Sequence, residues 1–308
     1  MLPIGTALAP PAPDVGNALD DLLARAREAS AAGVASLWLG QVYDLDALTA
    51  WAAIGARVPS VTLGTSVLPL HSRHPITASS QAQTVQAAVG GRLRLGLGVG
   101  HKGSAEDRYG VPYDRPALRM REYLEALQPL LKQGGAAFHG QTVTADTTGG
   151  STRVAGSVPP QVLVAAMSPA MLRAAGELAD GTVTWLAGVR TVAERIRPAL
   201  DAVNAAPEVV VGLPVYLTDD PDAARERIAR AMAFYTQRPV YQAVLEREGA
   251  TSPADVALVG NERELDRRLA LLADAGATEL LANLSGVPAG PEQDRTLEFL
   301  GSRSVSRR

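Results

Sequence analysis

The feature that most constrains this chain is the alternation of short, unbroken apolar segments with longer segments of helical periodicity. Strands that are apolar along their whole length are buried on both faces, which is typical of parallel sheets covered by helices. Eight strands are predicted, at residues 4–9, 35–40, 61–67, 93–99, 161–166, 181–186, 209–217 and 278–284. Helices are predicted near residues 17–32, 44–57, 75–89, 114–133, 169–179, 190–204, 220–248 and 261–275. Eight strand–helix units predict an α/β fold, the (β/α)8 TIM barrel, with a doubly wound sheet as the alternative.

Two longer connections interrupt this regular pattern as insertions after strands 4 and 7. Residues 136–160 are polar and rich in Gly and Thr, which predicts an extended arm or small hairpin between helix 4 and strand 5. Residues 220–248 are predicted to hold two helices with a break near Pro239. We therefore expect a single barrel domain over residues 1–308, with a disordered tail from about residue 302 to residue 308.

Composition and charge exclude several classes of function. The formal net charge of −3 and the lack of a basic block argue against nucleic acid or an anionic membrane as a partner. The chain has no cysteine, so thiolate nucleophiles and Cys-ligated metals are absent. His71 and His74 have no carboxylate nearby in sequence to complete a metal site, so no metal is predicted. The N-terminal segment does not resemble a signal peptide, which predicts a cytoplasmic protein.

Gly98, Gly100 and Gly103 form a G-x-G-x-x-G pattern directly after the fourth strand. In a Rossmann fold the third glycine lies in the first turn of a helix that packs on the strand. Here the next predicted helix begins only near Asp114, which is a candidate N-cap with Pro116 in the first turn. We interpret the pattern instead as a glycine-rich strand end, where the backbone is open to close approach by a flat ring.

Several segments, in order along the chain, resemble one family. They are AGVASLWLGQ, VTLGTSVLPLHSRHP, LGLGVGHKG, YGVPYDRPALRMREYLEALQPLL, PPQVLVAAMSPAMLRAAGELADGTVTW and LVGNERELDRRLALLADAGATELL. Over residues 15–285 the chain resembles the bacterial luciferase-like flavin and deazaflavin oxidoreductases, and among them the branch that uses coenzyme F420. No single motif carries the resemblance, which rests on the order and spacing of all six.

The resemblance implies where a cofactor binds. It implies a bulged third strand with a non-prolyl cis peptide at Ser66–Val67, next to Thr65, supporting the central ring. It implies a phosphate site in the loop after strand 5, whose residues are Ala165, Ala166, Met167 and Ser168. It implies that the redox ring is flanked by Gln41 and by the end of strand 4, which consists of Gly98, Val99, Gly100 and His101.

The resemblance further implies an F420-dependent oxidoreductase that transfers a hydride between C5 of the deazaflavin and a small organic substrate. His101 and Gln41 are the candidate catalytic residues, although the neutral Gln41 stands where related proteins often carry an acid or a histidine. Leu8, Tyr43 and Trp185 are the candidate substrate-pocket residues, and Tyr43 is also a candidate proton donor. The alternatives are an FMN-dependent monooxygenase and a non-catalytic flavin- or deazaflavin-binding barrel. A homodimer is expected, as is common in the family.

Overall fold

The computed structural model, which describes residues 2–12 and 14–305, is an eight-stranded parallel barrel of the TIM type, which confirms the predicted fold. The strands are β1 (Ile4–Ala7), β2 (Ser36–Leu39), β3 (Thr62–Thr65), β4 (Leu68–Pro69), β5 (Leu93–Gly98), β6 (Ala137–His139), β7 (Thr144–Asp146), β8 (Gln161–Val164), β9 (Gly181–Trp185), β10 (Glu208–Leu217), β11 (Leu258–Gly260) and β12 (Glu279–Asn283). The barrel order is β12-β1-β2-β3-β5-β8-β9-β10, and β10 pairs with β12 to close it. Short β4 and β11 pair with β5 and β10.

Helices cover the connections between these strands. They are α1 (Ala18–Ala32), α2 (Ala47–Ile54), α3 (Pro75–Ala88), α4 (Pro116–Lys132), α5 (Pro169–Leu178), α6 (Val189–Thr191), α7 (Arg197–Asp201), α8 (Pro221–Ala231), α9 (Ala233–Thr236), α10 (Pro239–Glu248), α11 (Pro253–Val256), α12 (Glu262–Asp274) and α13 (Pro291–Arg303). Two π-helical segments, Ser104–Arg108 and Val192–Ile196, lie among them. None of the helices in residues 2–12 and 14–305 is both long and apolar enough to cross a bilayer.

Polar residues directly before the helices explain where many of them begin. Asn17 accepts hydrogen bonds from the N–H groups of Leu19 and Asp20, and Asn261 caps α12 through the N–H of Glu264. Such side chains satisfy donors that have no partner within the helix. Proline at the first position of α3, α5 and α8 fixes a helical φ where no N–H is needed.

The chain folds as two compact units, residues 1–38 with 183–308, and residues 39–182. In the first, the buried carboxylate of Glu279 accepts hydrogen bonds from Ser36 Oγ at 2.5 Å and from Trp38 Nε1 at 3.1 Å. These bonds tie the start of β12 to β2. In the second, the core is built from the apolar side chains of β3 and β5 with Trp51, which donates to the carbonyl of Gly64 at 2.8 Å.

The insertion before β8 is the small antiparallel hairpin of β6 and β7, in which Phe138 faces Ala145. Glu122 of α4 anchors it, since this carboxylate accepts hydrogen bonds from the N–H groups of Gln141, Thr142 and Val143 and from Thr142 Oγ1, at 2.6–3.1 Å. Only 5% of Glu122 is exposed. The side chain therefore replaces backbone pairing that the hairpin turn does not make for itself.

The structure differs from the sequence predictions at the C-terminus, at the start of α4 and after Gly100. Helix α13, which was not predicted, continues to Arg303, and Ser304 Oγ accepts a hydrogen bond from the N–H of Ile4, so disorder does not begin at residue 302. Residues 306–308 lie outside the described residues. Asp114 does not cap α4, because the preceding residue is Arg115, with φ of 44° and no capping bond. The segment after Gly100 is helical over residues 102–109 rather than an open loop.

Candidate functional site

Three strand ends of the unit 39–182 carry most of the residues predicted to bind the cofactor. Gly98 ends β5 and is paired with Pro69 of β4, while Val164 of β8 is paired with Leu97. The N–H of Ala165 continues this pairing by donating to the carbonyl of Leu97 at 2.8 Å. Because the strands are parallel, their carboxyl ends meet at one end of the barrel, which is where active sites of this fold lie.

A bulge at Ser66 and Val67 separates the end of β3 from the start of β4. The Ser66–Val67 peptide bond is cis, the geometry that the resemblance implied. Thr65 Oγ1 holds the chain before the bulge, since it exchanges hydrogen bonds of 2.9 Å with both the N–H and the carbonyl of Gly96. The N–H of Ser66 donates to the carbonyl of Leu39 at 2.8 Å. The bulge is thus fixed from both neighbouring strands of this unit.

Gly98 lies close to both Val67 and Ala165, which belong to the neighbouring strand ends. A β-carbon placed on Gly98 would lie 2.5 Å from Val67 Cγ2 and 3.5 Å from the β-carbon of Ala165. No other residue fits there without displacing Val67. The structure therefore brings together Ser66, Val67, Gly98 and Ala165 as a surface made of backbone and small side chains.

The loop after β8 leads into the N-terminus of α5. Ser168 caps this helix by accepting from the N–H of Met171 at 3.4 Å, and Pro169 occupies its first position. Within the described residues, the N–H groups of Ala166, Met167, Ser168 and Ala170 have no protein acceptor. Donors of this kind at a helix N-terminus are suited to an oxyanion such as a phosphate.

The side-chain amide of Gln41 makes hydrogen bonds within the loop that follows β2 and with Arg73. Its Oε1 accepts from the N–H of Ala47 at 3.0 Å and from Arg73 at 3.2 Å, and its Nε2 donates to the carbonyls of Val42 and Leu45 at 3.3 Å. Arg73 is also paired with Asp46. This network gives Gln41 and Arg73 a structural task, and the catalytic role of Gln41 stays a prediction that this geometry does not favour.

His101 and Gly100 lie where β5 passes into the helical segment 102–109. Gly100 has φ of 70°, and a β-carbon there would lie 2.5 Å from the ring of His71, so both conformation and space require glycine. Its carbonyl accepts from Tyr113 Oη at 3.1 Å. His101 is half-buried, and its carbonyl accepts the N–H of Ala105 at 3.0 Å. Its catalytic role stays a prediction.

Two of the predicted pocket residues belong to the other unit, 1–38 with 183–308. Leu8 follows β1 and is almost fully buried. Trp185 ends β9, and its ring centroid lies 5.6 Å from that of Tyr235, which in turn lies 4.9 Å from Tyr241. Trp185 thus belongs to an aromatic cluster with the insertion that follows β10, a partnership that the spacing along the chain does not reveal.

Residues 3–293 match the family model described as luciferase-like monooxygenase. The chain belongs to the luciferase-like monooxygenase family. This confirms the resemblance drawn from the six sequence segments.

Sequence relatives of this luciferase-like chain include proteins from Mycobacterium tuberculosis. One, an uncharacterized protein, is 32% identical over 207 residues, which are 61% of this chain and 60% of the relative. The luciferase-like chain therefore spans about 60% of the length of that relative. Another, named as a putative coenzyme F420-dependent oxidoreductase, is 28% identical over 70% of this chain and 67% of its own length.

Solved structures of the same fold belong to proteins with different cofactors in their descriptions. One is the coenzyme F420-dependent tetrahydromethanopterin reductase from Methanopyrus kandleri, with a TM-score of 0.80, 19% identity, and coverage of 99% of this chain and 98% of that one. Another is the oxygenating component of 3,6-diketocamphane monooxygenase from Pseudomonas putida in complex with FMN, with a TM-score of 0.77, 16% identity and the same coverage. At these identities the likeness establishes the fold.

The luciferase-like barrel has a second group of polar residues in the unit 39–182, of which the sequence analysis considered only His71, as a possible metal ligand. They line a small cavity behind Gly100 and include His71, Tyr113 and Arg119. Burial lowers the pKa of His71, the nearby backbone of Val99 acts in the opposite direction, and the charge of Arg119 lowers it further. The contacts of His71 with Ser104 and Tyr109 could not be read from the sequence, because those two residues lie more than 30 positions away.

In the described part of this luciferase-like chain, no group of three or more His, Asp or Glu side chains is arranged to hold a metal ion.

Proposed function

We propose that this chain is an F420-dependent oxidoreductase that transfers a hydride between C5 of the deazaflavin and a small organic substrate. The proposal extends the family membership of the chain to one cofactor and one type of reaction. A cytoplasmic location, a homodimer and a small-molecule substrate stay predictions of the sequence.

The observation that carries the proposal is the pair of features at neighbouring strand ends of the unit 39–182. Ser66, Val67, Gly98 and Ala165 form a surface of backbone and small side chains, against which a flat ring system can lie. One strand away, the N–H groups of Ala166, Met167, Ser168 and Ala170 have no protein acceptor among the described residues. A cofactor that combines a planar ring with a phosphate fits both features.

F420, when bound, supplies the hydride chemistry at C5 of its ring. The protein's part is to bind and orient. Val67 and Gly98 would support the ring, and the start of α5 would hold the phosphate. Thr65 and Ser66 keep the bulge in place through their bonds to Gly96 and Leu39. Such fixed positioning lowers the barrier by removing freedom before the reaction begins.

The name of the M. tuberculosis relative supports F420, whereas the P. putida structure with FMN keeps a flavin as the alternative. Titration of the purified protein with oxidised F420 and with FMN, followed by fluorescence, separates the two. We expect tighter binding of F420, and hydride exchange at C5 when reduced F420 is supplied with candidate carbonyl substrates. Tighter binding of FMN would contradict the proposed cofactor, and F420 binding without hydride exchange would favour a non-catalytic binding barrel.

The phosphate site is tested by substituting Ser168. Both Ser168→Asp and Ser168→Asn keep a good N-cap for α5, so the helix is preserved in both. Only the aspartate places a negative charge beside the proposed phosphate. We expect Ser168→Asp to weaken F420 binding by about tenfold or more, which corresponds to about 1.4 kcal/mol of repulsion. Ser168→Asn should bind as the unmodified protein does, and equal affinities for the two variants would contradict a phosphate at this loop.

A further inference from the structure

His71 occupies a setting unlike that of a packing residue. It lies in the single turn Leu70–Ser72 after β4, and its ring contacts Gly100 on one side and Tyr109 on the other, with ring centroids 4.7 Å apart. Its Nδ1 is buried and has no hydrogen-bond partner within residues 2–12 and 14–305. His71 also lines a small cavity together with Val99, Tyr113 and Arg119. The other ring nitrogen, Nε2, lies 3.5 Å from Ser104 Oγ.

Ser104 joins His71 to a surface tyrosine. Tyr43 Oη lies 3.3 Å from Ser104 Oγ and donates to it. Tyr43 follows β2 and is 54% exposed, so its hydroxyl is accessible to a small molecule. The three groups form one continuous chain from the exposed phenol of Tyr43, through the hydroxyl of Ser104, to the imidazole of His71. Both distances are long, as hydrogen bonds of active sites often are before a ligand closes the site.

The elements around this chain hold it in place. Ser104 opens the π-helical segment Ser104–Arg108, and the guanidinium of Arg108 lies 4.6 Å above the ring of Tyr43. Local π-helical geometry of this kind occurs often at functional sites. Gly100 leaves room for the His71 ring, which accounts for the second glycine of the G-x-G-x-x-G pattern that the cofactor surface does not use.

The charged and titratable groups facing His71 favour its neutral form. Arg119 of α4, together with Tyr113 and Asp114 of the segment before that helix, lines the cavity beside the His71 ring, and Tyr109 packs on the ring. Burial lowers the pKa of His71 first, and the positive charge of Arg119 adds to this, whereas the backbone of Val99 raises it. The lowered pKa favours the uncharged ring, in which one nitrogen can accept a proton.

We propose that Tyr43, Ser104 and His71 form a proton relay in which the phenol of Tyr43 exchanges a proton with the substrate and His71 takes up or returns it. The relay rests on the proposed function, in which hydride transfer to or from a C–O or C–N group requires a matching proton. Tyr43 is the catalytic residue of the three, and Ser104 and His71 are positioning residues that act through it.

In the oxidation of an alcohol, three proton transfers along the relay accompany the hydride transfer. The hydroxyl proton of the substrate passes to Tyr43 Oη, the phenolic proton passes to Ser104 Oγ, and the serine proton passes to His71 Nε2. The C–H electron pair leaves as the hydride of the proposed function, so the alcohol becomes a carbonyl and His71 becomes an imidazolium. Because the pKa of His71 is lowered, its imidazolium then releases the proton to solvent. Reduction of a carbonyl runs the same transfers in reverse.

Nitrogen NMR of the histidine rings tests the relay without any cofactor. The sequence has only four histidines, so the ring signals can be assigned by single substitutions. We expect His71 to titrate below the usual value near 6.5. Ser104→Ala should shift its Nε2 signal, and Ser80→Ala, an exposed serine on α3, should not. An unchanged His71 signal in Ser104→Ala would overturn the relay, whatever the outcome for the proposed function.

Measurements of the hydride-transfer rate test the relay in a second, independent way. The hydride-transfer rate of the unmodified protein should rise with pH, in the oxidative direction, through the pKa of His71 measured by NMR. Tyr43→Phe and Ser104→Ala should each slow this step by on the order of 10²-fold and remove that limb of the profile, because general acid–base catalysis contributes roughly 10²–10⁴-fold. Ser104→Thr, which keeps the hydroxyl, should restore both.

The kinetic outcomes separate the two proposals. Absence of hydride exchange in the unmodified protein contradicts the proposed function, and with it a catalytic use of the relay. Full exchange with unchanged rate and pH profile in Tyr43→Phe and Ser104→Ala overturns the relay alone. F420 binding measured in each variant shows whether a slow rate arises from lost affinity, which the relay does not predict.

Discussion

Replacing Gly98 with alanine is expected to weaken F420 binding by roughly tenfold to a hundredfold. The new methyl group would lie 2.5 Å from Val67 Cγ2, and the β-branched Val67 has little freedom to move aside. Overpacking of this kind costs about 1–3 kcal/mol and displaces the surrounding chain. The displaced residue is the one that would support the cofactor ring. Fluorescence titration with oxidised F420 measures the change.

A second substitution separates loss of the binding surface from loss of the fold. In Gly98→Ala/Val67→Ala the conflicting γ-methyl group is absent, so the fold should recover, while the surface offered by Val67 stays altered. Gly16→Ala is the control, since a β-carbon there meets no atom within 4 Å. It should leave both stability and F420 affinity unchanged. A folded Gly98→Ala protein that binds F420 as tightly as the unmodified protein would contradict the proposed ring site.

Replacing Glu122 with alanine is expected to lower the free energy of unfolding by about 3–5 kcal/mol. The carboxylate accepts four partly buried hydrogen bonds from the hairpin turn, and a hydrogen bond to a charged group contributes about 1.5–3 kcal/mol. The loss should appear as a lower midpoint in urea unfolding. The neighbouring Glu125, whose main contact is Arg121 at 3.1 Å, is the matched control. Glu125→Ala should cost no more than about 1 kcal/mol.

The carboxylate of Glu122 should also make the stability of the fold depend on pH. Burial by itself raises the pKa of Glu122, but the hydrogen bonds from Thr142, Gln141 and Val143 outweigh it, so the pKa is lower in the folded protein. A lowered folded-state pKa contributes stability above the unfolded value near 4.3 and loses it as pH falls toward the folded value. Below about pH 4 the unmodified protein should therefore lose stability more steeply than Glu122→Gln. Parallel acid-unfolding curves for the two proteins would show that this carboxylate does not contribute.

The barrel could be predicted because each of its strands and helices is determined mainly by residues within or next to that element. Unbroken apolar strands such as 93–98, and helix starts marked by Asn17, Ser168 and Asn261, lie within a few residues of the elements they determine. The break at Pro239 is local in the same way, because proline cannot donate within a helix. Helix α13 was missed because its first half is polar and its large apolar side chains, Leu297, Phe299 and Leu300, all lie in its second half.

The candidate site was only partly predictable, for a physical reason. Ser66, Val67, Gly98 and Ala165 were grouped correctly at one end of the barrel by parallel topology and by the family resemblance. The partners of a single side chain come from residues far apart in sequence, and no periodicity encodes them. Gln41 illustrates this, since its bond to Arg73, 32 positions away, could not be read from the sequence. His71 was considered only as a metal ligand, and its contact with Ser104 becomes visible only in the folded chain.

The central claim is that the strand ends of the unit 39–182 and the start of α5 bind a phosphate-bearing deazaflavin. Hydrogen exchange measured by mass spectrometry, with and without F420, tests it most directly. The N–H groups of Met167, Ser168 and Ala170 have no acceptor among the described residues, so they should exchange rapidly in the free protein. F420 is expected to slow exchange there and in residues 97–101. Saturating F420 that leaves both segments unprotected, or that protects only other parts of the chain, would contradict the account.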